Sequence, residues 1–146
     1  RVSADVHRWY PIPWDLPRAS LHVDREQALL WRRARTFVEG CSEPGGFIFA
    51  APLIPLLYFV SERRNPTPYD LLIPGRVDGP AIVERLEASG TRCVVLDTET
   101  YPEYPPFAQL FPEVDRYLGQ AFEPQLRIRG ERGSWLGLVR REAPRP

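Results

Sequence analysis

Hydrophobic positions along this chain change their spacing several times, and each change marks an element. After Asp24, the residues Leu30, Ala34, Phe37 and Val38 recur on one helical face, and Gly40 stops the run. Asp24 and Gln27 have capping-box spacing, so a helix is expected to start at Asp24. Phe47-Ile48-Phe49-Ala50, short and apolar after Gly45-Gly46, predicts a buried strand. Pro52 to Glu62 predicts a helix with Pro in its first turn, and residues 65–78 a loop rich in Pro and Gly. Pro80 opens another helix, with Ile82, Val83 and Leu86 facing inward and Gly90 as its cap. Cys93-Val94-Val95-Leu96 is a second buried strand, followed by a loop over Thr98–Phe111. Pro112 starts a further helix carrying Val114, Leu118, Ala121 and Phe122 on one side. Leu126 and Ile128 then alternate with Arg127 and Arg129, and 134–140 returns across a Gly130–Gly133 turn as the partner strand.

This order predicts an α/β fold: a small, mainly parallel sheet flanked by helices, with a C-terminal antiparallel β-hairpin. Residues 21–143 form one domain, 1–20 an extended lead-in over the core, and 144–146 a tail. Trp9, Tyr10 and Trp14 in the lead-in are read as loop aromatics packed on their own domain.

Composition narrows the classes. Hydrophobic residues make up 43% of the 146, enough for a packed core. The formal net charge is +0, which disfavours nucleic acid as a partner. All basic residues are Arg and Met is absent even at position 1, so the chain reads as a piece of a longer protein with a coding bias toward Arg. No signal peptide is visible, and the uncharged stretch 45–60 is too short and too Pro-rich to span a bilayer. Arg32, Arg33 and Arg35 form a solvated helix face that is also able to meet anionic lipid headgroups. Cys41 and Cys93 match no metal motif. Buried free thiols are the expected state, with pairing open if the domain lies outside the cytoplasm.

Few residues are candidates for chemistry. There is no G-x-G-x-x-G after a strand and no Walker lysine, so no nucleotide cofactor is expected. His7 and His22 lie in no nucleophile motif, and no metal site is expected. Asp97, Glu99 and Glu103 form an acidic loop where ligands of open α/β sheets collect. It is suited to a divalent cation or acid–base work, but a solvated loop is the preferred reading. The segment from Arg63 to Asp70 gathers more polar groups: Arg63, Arg64, Asn65, Thr67, Tyr69 and Asp70, with Tyr58 one turn earlier. Its guanidiniums are able to fork onto phosphate or carboxylate. A structural role is the stronger reading, since Arg is favoured at a helix C-terminus and Asn before Pro is held extended.

The block Tyr58-Phe59-Val60-Ser61-Glu62-Arg63-Arg64-Asn65-Pro66-Thr67, with Pro52 and Pro55 before it and Tyr69-Asp70 and Pro74-Gly75 after it, carries a resemblance. Over residues 20–141 the chain resembles the C-terminal soluble region of bacterial multi-spanning glycosyltransferases, of the dolichyl-phosphate-mannose protein mannosyltransferase and aminoarabinose lipid A transferase class. The resemblance implies an accessory domain on the extracytoplasmic side of the membrane. Its partners would be the membrane-embedded part of the same polypeptide and a lipid-linked sugar or its acceptor. Catalytic acids in that class lie in the membrane part, so none is carried over, and Tyr58, Arg63, Arg64, Asn65 and Thr67 are expected to face that body. Cys41 departs from the pattern, which expects a polar or small residue in its helix-to-strand turn. The alternative is a standalone ligand-binding or scaffold domain using the strand ends at Ala51 and Asp97.

Overall fold

A computed structural model describes residues 12–16, 19–98, 104–130 and 133–142. Its elements are β1 (Ile12–Leu16), β2 (Ala19–Val23), α1 (Arg25–Cys41), β3 (Ile48–Ala51), α2 (Leu56–Ser61), α3 (Gly79–Ala88), β4 (Cys93–Asp97), α4 (Phe107–Leu110), α5 (Pro112–Ala121), β5 (Phe122–Gly130) and β6 (Gly133–Arg140). β1 and β2 pair as an antiparallel hairpin. The predicted lead-in therefore doubles back on itself ahead of α1, while Trp9 and Tyr10 lie outside the described residues.

The fold is α/β, with a four-stranded sheet in the order β3-β4-β6-β5. β5 and β6 form the C-terminal hairpin. The sheet is mixed rather than mainly parallel: β3 and β4 are its parallel pair, and β6 enters beside β4 in the antiparallel sense. A hairpin that inserts its second strand next to β4 imposes two antiparallel ladders on one parallel ladder. The strand pattern alone does not encode that insertion.

Both central strands are buried along their full length, so alternation sorts their side chains between two layers. Ile48, Ala50, Cys93 and Val95 pack with Ala34 and Val38 of α1 and with Leu57 and Val60 of α2. Phe49, Ala51, Val94 and Leu96 pack with Ile82, Leu86, Val114 and Leu118 of α3 and α5. Asp24 caps α1 as expected, its Oδ1 accepting the Gln27 N–H at 2.7 Å, which is the carboxylate half of the capping box. Glycine marks where α1 meets the sheet, because a Cβ on Gly137 of β6 would lie 2.8 Å from the Phe37 ring.

Three boundaries differ from the sequence reading. α1 runs through Gly40 to Cys41, so Cys41 ends the helix instead of sitting in the turn, and Ser42 caps it. α2 begins at Leu56 with Pro55 as its cap, and a proline there disfavours a helical conformation in the residue before it. Phe122 opens β5 instead of closing α5, and the short α4 interrupts the predicted loop. The cysteines are paired: Cys41 and Cys93, with Cα atoms 5.7 Å apart, join the end of α1 to the start of β4 as a disulfide. The expectation of free thiols is thereby corrected. Running α1 one residue past Gly40 brings Cys41 against the base of β4.

Candidate functional site

β3 is an edge strand of the sheet, and an unpaired edge offers free N–H and C=O groups to any passing chain. The block after α2 covers that edge. Arg64 N–H donates to Gly46 O at 2.9 Å, and Ile48 N–H donates to Arg64 O at 3.1 Å, a parallel bridge beside Phe47. One step along, the Tyr58 hydroxyl takes both groups of Ala50: it accepts from Ala50 N–H at 2.9 Å and donates to Ala50 O at 3.1 Å. Beyond the strand, Leu72 N–H donates to Pro52 O at 3.1 Å. Burial raises the Tyr58 phenol well above the ordinary tyrosine range; the Ala50 bond opposes that shift and the Asp70 carboxylate adds to it.

The turn out of α2 aims these groups. Glu62 is left-handed at φ 54°, Arg63 N–H reaches back to Tyr58 O at 3.0 Å, and Glu62 N–H to Phe59 O at 3.3 Å. This is the Schellman arrangement without its usual glycine. It turns Arg63 inward, to 9% exposure. Its Nε donates to Ser42 Oγ at 2.9 Å, its Nη2 to Ser42 O at 2.8 Å, and its Nη1 to Ser61 O. Arg64 points the other way and is exposed. It donates Nε–H to Gly45 O at 2.6 Å and lies 4.2 Å from the centre of the Phe47 ring. Gly45 supports this contact at φ 71°, a conformation that suits glycine.

Asn65 and Thr67 close the next turn on themselves. Asn65 Oδ1 accepts from Thr67 N–H and Oγ1–H at 2.9 Å each, and Asn65 Nδ2 donates to Tyr69 O at 2.7 Å. Thr67 is 7% exposed, Tyr69 contributes its backbone and its ring packs on the α3–α5 core, and Asp70 is exposed. Of the residues singled out in the sequence, Tyr58, Arg63, Asn65 and Thr67 therefore bind the fold itself. Arg64 and Asp70 face outward with Phe59, 41% exposed, and Leu71, 42% exposed. These four line an open groove of about 720 Å³ together with Pro55, Glu62 and parts of Tyr58, Arg63 and Asn65. Phe59 and Leu71 were not among the site residues expected from the sequence, since Phe59 sits inside the apolar run of α2 and Leu71 in the loop over 65–78. The signal available was the helical spacing of Leu57 and Val60, which leaves Phe59 opposite the buried face.

The second candidate cluster is not assembled among the described residues. Asp97 is 6% exposed at the carboxyl end of β4, while Glu99 and Glu103 lie outside the described residues. Thr98 N–H and Oγ1–H both donate to Ser134 O at 2.7 Å, tying this strand end to the hairpin. Leu72, 2% exposed, packs with Ala51 and Leu96 at the crevice beside the parallel pair. No group of acids, histidines or cysteines suited to a metal ion occurs among the described residues, and no described helix is long and apolar enough to cross a membrane. Compared with family models, curated proteins and solved structures, the chain matches none of them.

Proposed function

We propose that this chain is an accessory domain of a membrane glycosyltransferase that uses a lipid-phosphate-linked sugar. It stands on the extracytoplasmic side and docks onto the membrane-embedded part of its own polypeptide. One observation carries the reading: the block that fastens the edge of β3 through Tyr58 and the Arg64 backbone also lines an open groove, where Phe59, Arg64, Asp70 and Leu71 are its exposed groups. Phe59 and Leu71 give that groove an apolar floor, and Arg64 and Asp70 give it charges of both signs. Such a surface suits protein docking better than catalysis, because its one buried guanidinium is already committed to Ser42 and Ser61. The Cys41–Cys93 disulfide fits an oxidising compartment, as an extracytoplasmic domain requires. The resemblance of the block to the soluble regions of such transferases supplies the class.

A double variant of the whole polypeptide tests this. Phe59→Asp with Leu71→Asp leaves expression and the disulfide intact and lowers sugar transfer by roughly tenfold, the loss expected when contacts worth more than ~1 kcal/mol are removed. Unchanged transfer with normal protein levels would exclude the groove as the docking surface.

A further inference from the structure

α1 presents a second surface, away from the groove. Its inner side is set by Ala34 and Val38, both fully buried against the sheet. At 100° per residue, the positions opposite them are Arg25, Leu29, Arg32 and Thr36, with Arg33 on the flank. Arg25, Arg32, Arg33 and Thr36 are exposed, and Leu29 is the most exposed large apolar side chain among the described residues, at 57%. Arg25, Glu26, Ala28, Leu29 and Arg32 line a shallow groove along the helix. The three arginines form no ion pair among the described residues, whereas Arg35 is bound to Glu39 at 2.7 Å. Glu26, the other acid on the helix, is half-buried at the side of that groove.

The 17-residue helix is about 25 Å long. It thus carries a basic face without ion pairs among the described residues, with a leucine standing between guanidiniums one turn on either side. A solvated face has no need of an exposed leucine there. An anionic bilayer surface uses both parts: phosphate headgroups meet the guanidiniums, and the leucine enters the boundary below them while the arginine stems lie along it. We infer that the outer face of α1 rests on the surface of an anionic lipid bilayer. This does not depend on the groove beside α2, and lipid binding requires no transferase, so either assignment is able to fail alone.

Sedimentation of the chain with vesicles of phosphatidylglycerol and phosphatidylcholine in equal parts, against phosphatidylcholine alone, tests the inference. The chain is expected to bind the anionic vesicles and to be released at high salt. Arg25→Gln with Arg32→Gln and Arg33→Gln lowers the partition by about 100-fold, each guanidinium contributing about fivefold. Arg127→Gln with Arg129→Gln, exposed on β5, retains binding. The single variant Arg32→Gln, with its fivefold loss, serves if the triple variant melts early. No binding by the folded chain, equal binding to neutral vesicles, or equal loss in the β5 variant overturns the inference. Retention on immobilised polyglutamate without vesicle binding assigns the face to an acidic polypeptide and overturns it as well.

Discussion

Arg63 returns its guanidinium to Ser42 and Ser61, whereas Arg64 lays its guanidinium across Phe47 in the open. Truncating the first strands buried carbonyl oxygens, so Arg63→Ala is expected to cost about 3 kcal/mol in chemical denaturation. Arg64→Ala costs less than about 1 kcal/mol, the scale of an exposed cation–π contact. Tyr58→Phe removes the hydroxyl that serves both groups of Ala50 and costs about 1–3 kcal/mol. Tyr58 also sets an alkaline limit, as does Tyr117 of α5. Burial raises the Tyr117 phenol from the ordinary 10.0 to about 12, and the phenol lies beside the Glu87 carboxylate without closing a hydrogen bond to it. A raised phenol pKa means that the native state holds the proton more tightly than the unfolded chain. This stability is complete below the unfolded value and is lost as pH rises through the native one. Denaturation midpoints should therefore be flat up to about pH 10 and fall between there and about pH 12, with a shallower fall in Tyr117→Phe. The polar character of this block was legible in the sequence. Which guanidinium turns inward was not, because that depends on Glu62 taking a left-handed conformation that glycine more often occupies.

Between elements, the disulfide closes a loop of 52 residues from the end of α1 to the start of β4. By chain entropy, such a cross-link is worth about 4 kcal/mol. The double variant Cys41→Ala with Cys93→Ala should lose about that much, and reductant should then have no further effect on its midpoint. Gly137→Ala should cost about 1–3 kcal/mol, since the added methyl meets the Phe37 ring and Leu126 Cβ with no free space. α1, α3, α5 and the two buried strands were legible because their apolar spacing is dictated by burial on one face or on both. The disulfide was legible only as an alternative to free thiols, because it turns on α1 passing Gly40 by one residue. Gly40 lies beside open space, so nothing in the packing forces the helix to stop there. The mixed sheet escaped for a different reason. Hairpin strands read the same whether the second inserts beside β4 or the pair remains at an edge.

At the scale of the molecule, both edges of the sheet are guarded, by different means. β5 carries Pro124, a register shift before Leu126, and the exposed Arg127 and Arg129, features that discourage strand addition. β3 lacks these and is instead covered by Arg64, Tyr58 and Leu72 in succession. The conspicuous block is thus first a fastening for an edge, and it also lines the groove in which Phe59, Arg64, Asp70 and Leu71 are exposed. The proposal that this groove meets a membrane-embedded transferase body is tested most directly by sugar transfer in membranes. The polypeptide would carry Phe59→Asp and Leu71→Asp, with its amount and its disulfide measured in the same samples. A roughly tenfold fall in transfer at unchanged protein level is the expected result. Full transfer by the folded, membrane-associated variant would contradict it.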